Sequence, residues 1–323
     1  MDGADRLARH PNLIEPNTPI VPSGEQVELA FGDQLAVVVE VGAGLRSCFA
    51  DGRAMVDGYG ADEIASSGRG QLLIPWPNRI EDGNFEFGGR RHQLPLDEPK
   101  RRNAIHGLVR WSAWRVAERE PDSAAFEHLL YPRPGYPYSL ALRVEYTLSE
   151  GGLTVRTEAT NVGVATAPYG SGAHPYLAIG GGLVDEAELR VPARIVLEAN
   201  ERGIPVRAAV VEGTDLDFRV KRAIGATKLD HAFTDLGRGS DGLARVELTA
   251  EGRQATLWAD ESYPYLMVFT GDTLPDGGRR SLAVEPMTCA PNAFRSGDGL
   301  VRLEPGQTHT GSWGITPVAG PVS

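Results

Sequence analysis

Residues 140–160 have the sequence LALRVEYTLSEGGLTVRTEAT, and this stretch decides the fold class. From residue 140, Leu, Leu, Val, Tyr and Leu alternate with Ala, Arg, Glu and Thr, and the alternation resumes after residue 152. A period of two is typical of a strand with one buried and one exposed face. Because SEGG at 149–152 is turn chemistry, the stretch predicts an antiparallel hairpin.

The same pattern continues along most of the chain. FEFGGR at 85–90 predicts a second hairpin, since Gly-Gly permits positive φ. Further strand candidates are QLAVVVEVG (34–42), EAELRVPARIVLEA (186–199), LARVELTA (243–250), QATLWAD (254–260), YLMVFTGD (265–272) and SLAVEPM (281–287). No stretch of twelve or more residues has a convincing helical period. We therefore predict an all-β fold, a large antiparallel β-sandwich with its sheets packed face to face.

Residues 25–323 are predicted to form this sandwich as a single domain, because no clean linker and no repeat of fixed length interrupts the strands. Residues 1–24 are polar and contain prolines at 11, 16, 19 and 22. We interpret them as a poorly ordered arm or an edge extension. The chain contains 39 glycines and 23 prolines, a high share that suits short strands and tight turns better than a helical bundle.

Composition excludes several classes of function. The net charge is −11 and no block of Lys or Arg stands out, so nucleic acid is not an expected partner. The N-terminus lacks an apolar signal region, and no apolar run is long enough for a membrane span, so neither is predicted. Only Cys48 and Cys289 are present, without a CxxC pair, which fits a reducing compartment. We expect a cytoplasmic protein.

Familiar catalytic motifs are missing as well. The sequence has no GxSxG, no HExxH, no Walker loop and no GxGxxG between a strand and a helix. Its seven histidines show no metal-ligand spacing. We therefore expect neither a metal nor a nucleotide cofactor.

Glu285 is a carboxylate inside an apolar segment, SLAVEPMTCAPNAF at 281–294. Burying a charge there is costly unless it has a partner or a task. On a half-buried strand, Ala283 and Glu285 would face a groove while Leu282 and Val284 face the other side. A carboxylate in such a groove has a raised pKa and can act as a base near neutral pH. The alternative is a buried ion pair with an arginine.

Two histidines are candidates for proton transfer. His174 lies in PYGSGAHPYL (168–177), where glycines and Pro175 make the backbone irregular at a strand end. His106 lies in NAIHGLVRWSAW (103–114), close to Trp111, whose flat face could stack on a sugar ring. Imidazole is the natural proton donor near neutral pH. A hydrogen-bonded structural histidine and a tryptophan in the core are the alternatives.

Two charged residues are candidates for ligand binding. Arg79 follows an apolar run and two prolines in LLIPWPNRI (72–80), and could offer a fork of donors to ligand oxygens. Its alternative role is the ion-pair partner of a buried carboxylate, with Glu285 as one candidate. Asp230 lies in KLDHAF (228–233) and could accept from two neighbouring sugar hydroxyls, or form a cap or turn.

Five segments in this order resemble the aldose 1-epimerase family, from about residue 30 to the C-terminus. They are IPWPNRI, NAIHGLVRW, GAHPYL, LDHAF and AVEPMTCAPNAF. The resemblance implies a galactose mutarotase-like supersandwich with a concave sugar-binding face. It also implies a cofactor-free isomerase that interconverts the α and β anomers of an aldose.

By the same resemblance, Glu285 is the general base, His174 the general acid, and His106 a second histidine that assists at the ring oxygen. Arg79 and Asp230 resemble the residues that hold sugar hydroxyls. The expected arrangement is a carboxylate and a protonated imidazole that face each other across one pyranose. Further candidates for the sugar pocket are Asn78, Tyr176, Trp111 and Phe269.

Two departures from the galactose-type pattern leave the substrate open. Trp76 and Arg110 stand where that pattern has other residues, and both could reshape the pocket. Arg110 could face an anionic substituent, such as a sulfonate or phosphate, or form a salt bridge at the rim. The alternatives to a neutral-sugar mutarotase are the same chemistry on an anionic sugar, a non-catalytic carbohydrate-binding domain, and a glycoside hydrolase that pairs Asp230 with Glu285. The expected partner is a small-molecule sugar, bound by a monomer or homodimer.

Overall fold

A computed structural model describes residues 20–250, 253–275 and 278–318. The first strands are β1 (Gln26–Phe31), β2 (Gln34–Val39), β3 (Leu45–Ala50), β4 (Arg53–Ala54), β5 (Leu72–Leu73), β6 (Arg79–Glu81), β7 (Asn84–Phe87), β8 (Arg90–Gln93) and β9 (Asn103–Ile105). Next come β10 (Arg115–Arg119), β11 (Ser123–Leu130), β12 (Leu140–Ser149), β13 (Gly152–Asn161), β14 (Ala167–Tyr169), β15 (Gly172–Ala173), β16 (Tyr176–Ala178), β17 (Glu188–Arg190) and β18 (Ala193–Ala199). The last are β19 (Pro205–Val210), β20 (Arg222–Ala223), β21 (Asp230–Leu236), β22 (Ala244–Ala250), β23 (Arg253–Ala259), β24 (Tyr265–Phe269), β25 (Ser281–Met287), β26 (Val301–Leu303) and β27 (Thr308–Val318).

Helical structure is confined to two short pieces within the described ranges. These are the 3₁₀ turn Val184–Glu186 and the helix α1 (Ala293–Ser296). Across the described part of the chain, no helix has the length and apolarity that a membrane span requires. The predicted all-β fold is confirmed.

Two large antiparallel sheets organise the fold. One has nine strands in the order β10-β11-β12-β13-β27-β23-β22-β17-β20, and the other has eight in the order β19-β18-β21-β24-β25-β15-β5, with β16 also paired to β25. Apolar side chains from both sheets, such as Leu142 of β12 and Leu282 of β25, belong to one continuous core. The predicted packing of sheet against sheet is therefore what buries the apolar faces. Four strands, β1-β2-β3-β4, form a smaller sheet.

The hairpin at 140–160 is confirmed residue by residue. Leu148 opposes Leu153 and Ser149 opposes Gly152, so the turn consists of Glu150 and Gly151. Every second residue of β12, from Leu140 onward, is buried, as the alternation requires. The second predicted hairpin is confirmed too, with Gly88 and Gly89 at positive φ between β7 and β8.

Two strand predictions need correction. EAELRVPARIVLEA (186–199) is not one strand, because β17 lies in the nine-stranded sheet and β18 in the eight-stranded sheet. The chain changes sheet at Val191-Pro192, where proline lacks the amide donor that a continuous ladder needs. The segment around Glu285 is not half-buried either, because all seven residues of β25 are buried. The predicted arm at 1–24 lies mostly outside the described residues, and residues 20–24 lead into β1 through a turn.

Candidate active site

The register of the eight-stranded sheet brings the predicted acid and base side by side. Strands β15 and β16 both pair with β25, where Gly172 opposes Met287 and Tyr176 opposes Ala283. His174 lies midway between the two short strands and therefore comes opposite Glu285. Residues directly opposed in antiparallel strands point to the same face of a sheet. Two groups separated by more than a hundred positions in sequence thus become neighbours.

The same register builds the floor of the site from two adjacent rows of side chains. The first row contains Met267 and Glu285, which oppose each other, followed by His174. The second row contains Asp230, Phe269 and Ala283, also in mutual opposition, followed by Tyr176. Since the rows are two residues apart along each strand, all these side chains point to one face. That face lines a cavity of about 450 Å³, a volume suited to one small ligand.

His174 and Glu285 are in direct contact. His174 Nε2 lies 3.3 Å from Glu285 Oε1, and the two side chains are only 6% and 3% exposed. The other carboxylate oxygen, Oε2, is buried and has no hydrogen-bond partner among the described residues. A buried polar atom without a partner is costly, and this oxygen is available to accept a hydrogen bond from a ligand.

Burial sets the charge of both groups. It raises the pKa of Glu285 to about 8, an effect that the nearby Asp230 carboxylate increases and the Arg79 guanidinium opposes. Burial also lowers the pKa of His174 to about 3, and the positive charges of Arg69 and Arg110 lower it further. At neutral pH burial therefore favours a protonated carboxyl beside a neutral imidazole.

These findings bear on two expectations about the pair. Desolvation disfavours the imidazolium, so burial opposes the protonated His174 that the sequence analysis expected. The two groups also do not face each other across the cavity, since they touch on its floor. Any proton that one group loses can be taken up by the other directly.

A two-stranded ribbon covers one side of the cavity. Strand β6 pairs with β9, so that Arg79 opposes Ile105, and His106 follows directly. The His106 amide donates to the carbonyl of Asn78 at 2.9 Å, and both residues have positive φ, 61° and 52°. Gly107 follows because any Cβ there would lie 2.0 Å from the carbonyl oxygen of Ile74. These constraints aim His106 at the floor, with its ring centroid 5.4 Å from that of His174.

His106 is buried, and burial lowers its pKa well below the usual value; a protonated His174 would lower it further. Burial thus favours the neutral form of His106, and its Nδ1 has no partner among the described residues. A neutral imidazole can donate through one nitrogen and accept through the other. The group can therefore support a ligand oxygen without adding charge.

Arg79 is paired with a carboxylate that the sequence analysis did not single out. Its Nε and Nη2 each donate to Glu98 at 2.9 Å, in a bidentate pair. Glu98 also accepts from the amide of Asn103. Burial alone would raise the pKa of Glu98, but the hydrogen bonds and charge of Arg79 bring it below the usual value. The suggested pair of Arg79 with Glu285 is therefore wrong, although Arg79 still lines the cavity.

The remaining predicted residues are distributed around the cavity. Asp230 presents a half-exposed carboxylate whose nearest ion-pair partner is Arg101 at 4.0 Å. Trp111 is 51% exposed at the rim. Tyr176 is buried, with its ring stacked on His174 and its hydroxyl donating to the Ser67 carbonyl. The side-chain oxygen of Asn78 accepts from the backbone amide of Arg79 at 3.0 Å and from its Nη1 at 3.4 Å, and the second bond helps to orient the guanidinium.

Two departures from the galactose-type pattern have structural explanations. Trp76 does not reshape the cavity, because it is buried in the core against Phe294 with ring centroids 5.7 Å apart. Arg110 does line the cavity, and its guanidinium donates to Asp97 at 2.7 Å. This is the rim salt bridge that the sequence analysis gave as one alternative.

One group of described residues has donor atoms close enough to reach a single cation. These are His106, His174 and Glu285, whose nearest ligand atoms all lie within 4.8 Å of one another. Two neutral imidazoles and a carboxylate would suit Zn²⁺. The same three groups suit metal-free proton transfer, so the expected absence of a metal stays a prediction.

A second, larger groove of about 1070 Å³ lies beside β2 and β3 and the loop at 179–183. It contains none of the predicted site residues. The smaller cavity is lined by three buried titratable groups with shifted pKa values, His106, His174 and Glu285, each of which has a polar atom without a partner among the described residues, and it is therefore the candidate active site.

Sequence and structure comparisons agree on the class of protein. Residues 25–316 match the sequence profile of the family described as aldose 1-epimerase. The chain belongs to this family. It is 38% identical over 288 residues to Uncharacterized protein YihR of Escherichia coli (strain K12), covering 89% of this chain and 91% of the relative. It is also 28% identical over 221 residues to the human galactose mutarotase, covering 61% of this chain and 60% of that protein.

Solved structures support the same fold. A GalM/aldose epimerase homologue from C. elegans superposes with a TM-score of 0.81 at 20% identity, covering 91% of this chain and 98% of that one. The galactose 1-epimerase of Lactobacillus acidophilus superposes with a TM-score of 0.75 at 22% identity, covering 90% and 94%. The predicted family and the galactose mutarotase-like fold are confirmed.

Proposed function

We propose that this protein is an aldose 1-epimerase that interconverts the α and β anomers of a hexose by acid–base ring opening and closure. The contact between His174 Nε2 and Glu285 Oε1, on the floor of a cavity of about 450 Å³, carries the proposal. Family membership supports an isomerase activity. The location of this enzyme in the cytoplasm stays a prediction.

Ring opening needs two coupled proton transfers. The hydroxyl on C1 loses a proton, the C1–O5 bond breaks, and the ring oxygen gains a proton. Both oxygens are bonded to the anomeric carbon, so groups that serve them must themselves be close together. Adjacent side chains of Glu285 and His174 meet this requirement better than groups on opposite walls would.

The protonation state that burial favours for Glu285 and His174 fits this reaction cycle. One proton on Glu285 can cross the 3.3 Å contact to His174, which yields a carboxylate and an imidazolium without exchange with solvent. The carboxylate then takes the C1 hydroxyl proton while the imidazolium protonates the ring oxygen. The open aldehyde stage leaves a protonated Glu285 and a neutral His174, the state that burial favours. Rotation about C1–C2 and reversal of both transfers give the other anomer.

The other cavity residues have binding roles in this proposal. His106 supports the ring oxygen, while Arg79 and Asp230 hold hydroxyls away from C1, which stays free to rotate. Asn78 orients Arg79, and Phe269, Tyr176 and Trp111 offer apolar ring surface. The pair of Arg79 with Glu98 fixes the guanidinium before the sugar arrives.

The test is the decay of optical rotation of fresh α-glucose and α-galactose, together with NMR exchange between anomers. We expect Glu285→Gln and His174→Asn each to lower kcat/KM by ~10²–10⁴-fold, the usual worth of a positioned proton transfer. Glu150→Gln, the same change at an exposed hairpin turn, is the control. Full activity in either site variant would contradict the assignment. Sugar binding by the wild-type protein without any anomer exchange would favour a carbohydrate-binding domain.

A second candidate function is the same reaction on an anionic sugar, and one observation supports it. Four basic side chains line the cavity (Arg79, Lys100, Arg101 and Arg110). Three of them have carboxylate partners, whereas Lys100 is exposed and makes no ion pair with any described residue. Turnover of neutral and phosphorylated or sulfonated sugars at low and high salt decides between the two. Lys100→Ala should raise KM only for the anionic sugar, and equal or better turnover of neutral sugars would exclude this candidate.

A further inference from the structure

The imidazole of His174 is enclosed by a short segment, residues 66–70, that lies outside the eight-stranded sheet. Gly68 has a φ of +82°, and a Cβ built there would lie 2.6 Å from His174 Cδ2. The backbone of His174 is tied to the end of this segment, since its carbonyl accepts from the amide of Gly70 at 2.9 Å. Only glycine permits both the positive φ and the close approach, so this segment determines where the ring can lie.

Tyr176 lies against the same imidazole. Its ring stacks on His174 with centroids 4.9 Å apart and an angle of 15° between the planes. Its hydroxyl donates to the carbonyl of Ser67 at 2.9 Å, which joins the aromatic ring to the enclosing segment. A stacked ring and a glycine backbone together leave the imidazole little rotational freedom.

Arg69 connects these parts and is itself buried, with a side chain 6% exposed. Its guanidinium carbon lies 4.9 Å from the centre of the Tyr176 ring. It donates to Ser66 Oγ at 3.0 Å and to Asp57 Oδ2 at 3.2 Å. Asp57 Oδ2 in turn accepts from the hydroxyl of Ser281, at the start of β25. The guanidinium thus ties the segment 66–70 to the strand that carries Glu285.

We propose that Arg69 is a positioning residue that acts through Tyr176 and the segment 66–70 to hold His174 Nε2 against Glu285. Arg69 does not line the sugar cavity, so its effect on the reaction is indirect. The inference rests on the proposed function for its catalytic consequence, whereas its structural part can be tested without any sugar.

The charge of Arg69 has a second effect on the same ring. The titratable and charged groups around His174 are Glu285 on β25, His106 after β9, Tyr176 on β16, Arg69 in the enclosing segment, Arg79 on β6 and Arg110 beyond β9. Burial is the main cause of the lowered pKa of His174, and among the neighbouring charges that of Arg69 lowers it most. Removing it should therefore make the imidazole easier to protonate.

The experiment compares wild type with Arg69→Met, which keeps an unbranched apolar stem but removes the guanidinium with its charge and its donors. Ring ¹⁵N shifts of labelled histidine in the sugar-free protein, assigned with His174→Asn, report the protonation of His174 against pH. We expect its pKa to rise by on the order of one unit. We also expect kcat to fall by up to ~10²-fold with KM unchanged, because a misplaced acid–base group slows chemistry more than binding. Arg69→Lys, which keeps the charge, should restore the titration in part.

Unchanged His174 shifts and unchanged kcat in folded Arg69→Met would overturn the proposal. If Arg69→Met does not fold, Asp57→Asn tests the proposal instead, because it leaves Arg69 in place and removes the carboxylate charge that anchors its guanidinium. We expect a smaller loss of kcat at constant KM there, and an unaltered kcat would count against the anchor. Absence of anomer exchange in the wild type would refute the proposed function alone, since the ¹⁵N titration would still test the role of Arg69.

Discussion

Replacing Glu285 by Gln should remove a pH-dependent cost of folding. In the unfolded chain the carboxyl titrates near 4.5, whereas burial raises its pKa to about 8 in the folded protein. A group whose pKa is raised by folding stabilises the folded state below its unfolded pKa, and this contribution is lost as pH rises towards the folded pKa. The gap between 4.5 and about 8 corresponds to about 5 kcal/mol in total.

Part of this window is shared with two histidines. Burial lowers the pKa of His174 and of His106 below 6.5, so their contribution has the opposite sign and is lost as pH falls below that value. Above pH 6.5 the histidine contributions level off within about one pH unit and are common to wild type and Glu285→Gln, so the difference between the two proteins reports Glu285. Between pH 6.5 and about 8 we expect wild type to lose about 2 kcal/mol relative to Glu285→Gln.

Urea unfolding at several pH values between about 6.5 and about 8 measures this difference. The neutral amide keeps the shape of the protonated carboxyl and cannot ionise, so the variant should become the more stable protein as pH rises. Glu150→Gln at the exposed turn should run parallel to wild type throughout. If the curves of Glu285→Gln and wild type also run parallel, Glu285 is ionised in the folded protein across this range, and the argument from burial fails.

Three further substitutions test the packing that holds the site. Arg79→Met should lower the free energy of unfolding by ~3–5 kcal/mol, because it leaves the half-buried Glu98 carboxylate unpaired. A loss within error of zero would show that solvent replaces the pair. Tyr146→Phe should lower the free energy of unfolding by ~1–3 kcal/mol, since the Tyr146 hydroxyl donates to the carbonyl of Ala43 at 2.7 Å. Thermal unfolding measures the loss, and an unchanged stability would contradict this hydrogen bond. Gly107→Ala should lower both stability and sugar turnover, because the new Cβ would lie 2.0 Å from a backbone oxygen, and normal values for both would show that the backbone adapts easily.

Local patterns in the sequence were sufficient for the fold class. The alternation in β12 and β13 reports burial on one side only, and the structure reproduces it at every position of β12. It was less informative for β25, where both faces are buried and no alternation can mark the strand's place in the sheet. The break at Val191-Pro192 was a signal within an apparently continuous strand, because proline interrupts a ladder.

The candidate site could be predicted only because short motifs carry its chemistry. Glu285, His174, His106, Arg79 and Asp230 come from five distant segments, and all five line one cavity. Their mutual distances depend on strand register, which no single segment reveals. The partner of Arg79 was missed for this reason, since Glu98 lies in a loop without any apolar pattern and meets Arg79 only through the fold. Trp76 was misjudged because a tryptophan beside a motif looks the same whether it packs inward or outward.

Protonation was predicted only in part. The apolar segment around Glu285 predicted its raised pKa, whereas the lowered pKa of His174 was not predicted, and burial favours the neutral form of both groups. The neutral and charged forms of the pair hold the same single proton, and the proposed reaction passes from the neutral form to the charged one before the sugar ring opens. A neutral pair carries one transferable proton and leaves Glu285 Oε2 without a partner. In the proposed reaction, an arriving sugar hydroxyl would supply the missing hydrogen bond, so that binding itself would favour the carboxylate form of Glu285.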